Sequence, residues 1–323
     1  MTSGDTRTSA PRDEHHLREV RLFLEELCCH LCCFHHMEKD GLKPEDIRIL
    51  PEYYLGMPGC FADIRVEVPG RETYFLEVKY GYSAERIVSH LTRKYGADSA
   101  SLDGAGKVIV VADTRRHPDW PRIQKSLETD FRRGLKLEVW DEEDLVDMIG
   151  RRFGLKTDLV SEDKIVELKE AIDGATGRYA FGGEWTGSTL QLTLLWHFSH
   201  WHIRQLREQH SLTARSILPP GHYRDVAVLM ADLCSFSSYV RDTPGDAVVR
   251  EALTSFYSKS RYAILNAGGM MYQFVGDQVI GLFGIPDSRP GHLEAAVDCA
   301  RSLVDIGNSV SNEWQRNIDR VQQ

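Results

Sequence analysis

Two stretches decide the reading of this chain: Val226-Ala-Val-Leu-Met-Ala-Asp-Leu-Cys-Ser-Phe-Ser237 and Gly268-Gly-Met-Met-Tyr-Gln-Phe-Val-Gly-Asp-Gln-Val-Ile-Gly-Leu-Phe-Gly284. In the first, a short apolar run stops at Asp232, the pattern of a buried strand that ends where it meets solvent. In the second, Gly276-Asp277 interrupts two apolar runs and predicts a tight hairpin. Each aspartate is therefore expected at a strand end. Carboxylates placed so can hold a pair of Mg2+ or Mn2+ ions.

Working outward, 323 residues with 42% hydrophobic content suffice for two or three domains with ordinary cores. The first residues are polar and charged, and no run approaches a membrane span, so a soluble, cytoplasmic protein without a membrane partner is expected. Seven cysteines, an odd number with two adjacent pairs, fit reduced thiols better than a disulfide framework. A formal charge of −9 argues against a surface devoted to nucleic acid while leaving room for a local basic patch.

Residues 1–12 read as a flexible tail. Residues 13–154 alternate helix and strand in the manner of an α/β domain: a helix from Asp13 to Lys39, strands at Ile47–Leu50, Ala62–Val68 and Tyr74–Val78, a helix from Ala84 to Tyr95, a buried strand Val108–Ala112, a helix after Pro121, a strand Leu135–Trp140 and a helix from Glu142. Residues 155–220 form a helical connector, with a helix capped at Ser161 and a second over Thr189–Gln209 that serves either dimerisation and signal relay or simple packing. Residues 221–323 form the last domain.

The two opening stretches resemble the first half of a class III nucleotide cyclase domain. The Asp-Leu-Cys-Ser-Phe-Ser block is similar to that family's metal strand. The segment from Gly268-Gly269 to Asp277 is similar to its glycine pair, hairpin and second metal aspartate, and Phe283-Gly-Ile-Pro286 with the Ala-rich helix from about His292 continues the likeness. The resemblance covers about a third of the chain, from Ile217 onward. It implies a ferredoxin-like α+β domain, Asp232, Leu233 and Asp277 as metal residues, and cyclisation of a nucleoside triphosphate by attack of the ribose 3′-hydroxyl on the α-phosphate. The turn after Asp232 is expected to offer backbone N–H groups to phosphate, with Phe236 inside it.

Purine cyclases of this class usually carry a base-reading Lys or Glu four residues before the second metal aspartate, where this chain has Gln273 beside Tyr272. Gln can donate and accept, and Tyr can stack or donate. Together with Ala231-Asp-Leu-Cys-Ser-Phe-Ser-Ser-Tyr-Val-Arg-Asp-Thr-Pro244, this is similar to bacterial pyrimidine cyclases of anti-phage signalling. It implies UTP or CTP as substrate, Phe236, Tyr272 and Gln273 as substrate-binding residues, and cyclic UMP or cyclic CMP acting on a separate effector. The family's second half, with an Asn and an Arg for ribose and phosphate, has no counterpart before Gln323. A homodimer of this chain would lack that set at both sites; the expectation is a truncated form of a longer cyclase, with a partner that supplies the missing half, or a catalytically incomplete scaffold, as the alternatives.

In the first domain, Asp63 lies on one strand and Glu77-Val-Lys79 closes the next, with Glu77 and Lys79 on one face. This resembles the PD-(D/E)xK restriction-endonuclease-like fold, and Leu137-Glu-Val-Trp-Asp-Glu-Glu-Asp-Leu145 resembles a late segment of its Mrr-like members. The resemblance implies a metal-dependent nuclease site at Asp63, Glu77 and Lys79, joined by Glu19 or Glu26, or a module that senses nucleic acid without cutting. Arg86, Arg93, Lys94, Arg115 and Arg116 are candidates for phosphate contacts. Cys28, Cys29, Cys32, Cys33 and His36 have helical i,i+4 spacings that suit zinc, but buried thiol packing is the preferred reading. His197, His200 and His202 are expected on a helix surface.

Overall fold

The computed structural model describes residues 11–43, 46–57, 60–97, 99, 102, 104–157, 164, 168, 194, 196–199, 202–203, 218–243 and 245–322. In chain order its elements are α1 (Pro11–Asp40), β1 (Arg48–Tyr54), β2 (Phe61–Glu67), β3 (Tyr74–Val78), α2 (Ala84–Tyr95), β4 (Lys107–Val111), α3 (Trp120–Asp130), β5 (Lys136–Trp140), α4 (Glu142–Phe153), β6 (Ala227–Asp232), α5 (Phe236–Asp242), α6 (Asp246–Asn266), β7 (Met270–Val275), β8 (Gln278–Phe283) and α7 (His292–Gln322). The architecture is mixed α/β. One mixed sheet has the order β1-β2-β3-β4-β5, and a three-stranded antiparallel sheet has the order β6-β8-β7. No described helix is long and apolar enough to cross a membrane.

The chain packs as two compact units, Met1–Gly41, Glu72–Ser99 and Ala105–Thr186 in one, Leu42–Arg71, Ala100–Gly104 and Gly187–Gln323 in the other. In the first unit β3, β4 and β5 run parallel, pairing Leu76 with Ile109 and Ile109 with Glu138. Val108 to Ala112 is wholly buried, as a parallel strand covered on both faces must be. One face, carrying Tyr74, Lys107 and Glu138, meets α1 and α4, whereas Glu77 turns to α2 on the other. The helix ends follow local chemistry. Ser83 caps α2, Asp141 and Asp144 form a reciprocal capping box at α4, and Gly154 closes α4 in the left-handed region at φ 67°.

In the second unit the antiparallel hairpin β1–β2 pairs Ile49 with Val66 and Tyr53 with Ala62. It rests on α6 and α7. Asn266 donates to the Pro51 carbonyl at 2.6 Å, Tyr54 donates to Asp305 at 2.6 Å, and Phe61 enters a core with Phe256, Leu303 and Trp314. The three-stranded sheet lays Leu229, Met271, Val279 and Phe283 onto the same core. Two glycines make room for close packing: a Cβ on Gly269 would lie 2.7 Å from Cζ of Phe283 on β8 and 3.0 Å from Cγ2 of Ile264 on α6, and one on Gly281 would lie 2.9 Å from Cδ1 of Ile264. Gly269→Ala is therefore expected to destabilise the protein by about 1–3 kcal/mol through overpacking, visible as a lower urea midpoint.

The structure corrects one expectation about β6. Its sequence reads as buried on both faces, but only Leu229 is buried, while Val228 is 61% and Met230 58% exposed. The reason is position: β6 is an edge strand, and helices cover the other face of its sheet. The expected connector helices lie largely outside the described residues. Of them, Trp196 meets the Phe274 ring edge-on at 6.1 Å, and Nδ1 of His197 bonds the Met271 carbonyl at 2.5 Å.

Candidate functional site

Sheet register brings the two opening aspartates together. Asp232 is the last residue of β6 and pairs with Gln278, the first residue of β8. Asp277 immediately precedes Gln278, in a two-residue turn whose first position is Gly276 at φ 63°, a backbone conformation that favours glycine. The pairing of Asp232 with Gln278 puts the two carboxyls close enough to interact electrostatically. Local desolvation and the Asp277 carboxyl hold the Asp232 carboxyl above the ordinary aspartate range. Because Asp232 is exposed, we assign most of this effect to the neighbouring carboxylate rather than to burial. Among the described residues neither aspartate has an ion-pair partner. Asp232 also shares the open face of β6 with Val228 and Met230, by strand alternation.

A residue that sequence reading missed fixes the turn. Tyr257, on α6, donates to the Gly276 carbonyl and stacks on Phe274 with centroids 4.3 Å apart. Burial and then the charge of Asp277 push its hydroxyl above the ordinary tyrosine range, which marks it as a neighbour of the acidic pair. Nothing in the one-dimensional pattern distinguishes Tyr257 from any aromatic residue on an amphipathic helix.

Tyr272 is the extra residue of a β-bulge: Met271 pairs with Gly281 and Gln273 with Ile280, so Tyr272 has no counterpart on β8. Consecutive strand residues normally face opposite ways, yet Tyr272 and Gln273 are both exposed. Leu233 is buried, and Phe236 packs edge-on against Trp314 at 5.9 Å instead of joining the open face. Its own N–H already bonds the Leu233 carbonyl at 3.3 Å, and Ser235, left-handed at φ 61°, starts the short helix α5.

In the first unit Glu77 is completely buried. Its carboxylate accepts from Lys94 at 2.9 and 2.7 Å and from the Tyr95 hydroxyl at 2.5 Å, with the Lys79 ammonium at 2.5 Å. Two ammonium groups thus converge on one carboxylate, which already engages the Glu77 oxygens that a metal would need. Asp63 lies on β2, in the second compact unit. Of the candidate phosphate contacts, Lys94 is committed to Glu77, Arg115 to Glu143, and Arg116 to Asp113 at 3.2 Å, while Arg86 and Arg93 are exposed on α2. Glu26 is exposed on α1, and the side chain of Glu19 lies outside the described residues.

Cys28, Cys32 and Cys33 are buried in the core face of α1, and burial raises the Cys32 thiol to about 12, the environment of a packed thiol. His202, expected at a helix surface, is instead buried, with its ring edge-on to Phe198 at 5.2 Å. His200 lies outside the described residues. Burial, reinforced by the charge of Arg289, lowers His202 to about 3, so it stays neutral in the fold. The unfolded chain takes up a proton near pH 6.5. Below that pH the unfolded state binds more protons, and stability is lost as pH falls from about 6.5 toward 3, at up to about 1.4 kcal/mol per pH unit. Urea unfolding at pH 7.5 and 5.5 should show this loss, and His202→Gln should reduce it.

Among the described residues no group of three or more His, Cys, Asp or Glu side chains could hold a metal ion alone. The Asp232–Asp277 pair still suits a divalent cation: Mg2+ is commonly held by one or two carboxylates, with substrate phosphates and water completing its shell. The chain matches no protein-family model, and no curated protein is detectably similar to it.

Proposed function

We propose that the second compact unit carries the metal-binding half of a class III nucleotide cyclase domain with a ferredoxin-like fold. It would convert UTP or CTP into the 3′,5′-cyclic nucleotide and pyrophosphate, in the cytoplasm, as part of anti-phage signalling through a separate effector. The observation that carries this reading is the meeting of Asp232 and Asp277 at one corner of an open sheet face, with no ion-pair partner for either among the described residues. Two like charges held this way cost free energy unless a cation joins them.

Bound Mg2+ or Mn2+ would acidify the ribose 3′-hydroxyl and offset charge on the triphosphate. The chain's own part is positional. Asp232 and Asp277 hold the metal–triphosphate, Tyr257 keeps the Gly276-Asp277 turn in register, and the bulge at Tyr272 presents that ring and the Gln273 amide together to a base. An amide that both donates and accepts suits a pyrimidine edge.

The exposed Val228 and Met230 beside Asp232 support an assembly in which a partner covers this face; the groups for ribose and phosphate would come from a chain that carries the family's second half. The first unit, with Glu77 neutralised by lysines, fits a sensing module, for nucleic acid or protein, better than a metal-dependent nuclease. The test is pyrophosphate release on mixing the full chain with UTP or CTP and Mn2+, and its absence with and without the natural partner would overturn the proposal.

A further inference from the structure

The first unit contains a cavity of about 270 Å³ between α1, α4 and the sheet face of β3, β4 and β5. None of the chemistry above uses it. Its size is just below the roughly 300–1,000 Å³ of sites for drug-sized ligands, which suits a nucleoside. Its lining includes the rings of His35, Tyr74 and Trp140; charged groups enter from α1 and α4, Arg151 and Arg152 among them, and from Lys107 and Glu138 on two neighbouring strands. Lys107 donates to Oε2 of Glu138 at 2.8 Å, and the Trp140 indole N–H donates to Oε1 at 2.9 Å. Burial alone would push the Glu138 carboxyl up, but the hydrogen bonds from Lys107 and Trp140 outweigh it and keep the group ionised at neutral pH.

These bonds leave capacity unused. Each Glu138 oxygen has accepted one hydrogen bond and can accept another, and the Lys107 ammonium, with three donors, has given one to Glu138. A ligand that satisfies both must present two adjacent N–H donors to a carboxylate and a carbonyl oxygen to the ammonium beside it, on a flat ring that can lie against Trp140. Guanine has this edge, O6 then N1–H then the 2-amino group. Adenine and cytosine lack the pair of N–H donors beside a carbonyl.

We propose that this cavity is a binding site for a free guanine nucleoside, read by Glu138 and Lys107 and stacked on Trp140.

Isothermal titration of the full chain with guanosine, inosine, adenosine and cytidine tests this. Guanosine should bind. Inosine, without the 2-amino group, should bind at least about tenfold more weakly, since one carboxylate oxygen loses its donor, and adenosine and cytidine more weakly still. Glu138→Gln should weaken guanosine at least about tenfold at unchanged melting temperature, as Glu138 is half-exposed at the pair with Lys107. Met148→Trp, which fills the cavity, should abolish binding. The proposal fails if guanosine gives no heat at millimolar concentration, if adenosine binds equally well, or if Glu138→Gln binds as the parent does. It fails too if only a pentadeoxynucleotide with a single guanine binds, which would assign the cavity to nucleic acid.

Discussion

Asp232→Asn and Asp277→Asn should each remove Mn2+-dependent pyrophosphate release by about a thousandfold or more, on the order of 4 kcal/mol of transition-state stabilisation. The two carboxyls meet at the β6 end and the β7–β8 turn, and among the described residues neither has an ion-pair partner, so a metal would complete the charge of the pair. The same geometry makes a second, opposite expectation. Neutralising either aspartate relieves a like-charge contact, so neither variant should lower the melting temperature in metal-free buffer. A structural pair would behave the other way, losing stability when changed. Titration of Mn2+ by paramagnetic resonance, with each asparagine variant binding more weakly, separates the metal role from a role in folding.

Glu77→Ala should be the most destabilising single substitution considered, by about 3–5 kcal/mol, because it removes the buried carboxylate on which the Lys79 and Lys94 ammonium groups converge. Both lysines are almost fully buried, and Tyr95 also loses its hydrogen-bond acceptor. For a domain with stability in the usual range of roughly 5–15 kcal/mol, much of the margin goes. Thermal melting should show it directly. Pairing Glu77→Leu with Lys94→Met should recover part of the loss, since removing both members of a buried ion pair leaves less charge uncompensated. A loss of nucleic-acid cleavage in Glu77→Ala would not by itself assign catalysis to this residue, since the variant fold is weakened.

Much of the architecture is written in local pattern. The run Val108–Ala112 reads as an inner strand, and the helix expected over Glu142–Ile149 begins at Glu142 and runs on to Phe153. The Gly276-Asp277 turn follows from its glycine, and with it the placement of Asp277 at the hairpin tip. The rest depends on contacts between residues far apart in the chain. Whether Val228 and Met230 face a core or solvent is decided by what lies beyond β6, which no strand pattern contains. Gln273 and Tyr272 point the same way because a bulge breaks the alternation, and the bulge exists only relative to Gly281 and Ile280 on β8. Strand alternation puts Glu77 and Lys79 on one face, but Lys94, 17 residues on from Glu77, decides what that face does. His202 has a helix-surface spacing and a buried environment for the same reason.

The central claim is that this chain's aspartate pair serves cyclisation of a pyrimidine nucleotide. The direct measurement is mass-spectrometric identification of the products formed when the protein, with its partner where one is needed, meets an equal mixture of ATP, GTP, CTP and UTP with Mn2+. The account predicts cyclic UMP or cyclic CMP as the main product, absent with Asp277→Asn. Cyclic AMP or cyclic GMP alone, or no cyclic product in any assembly, would contradict it.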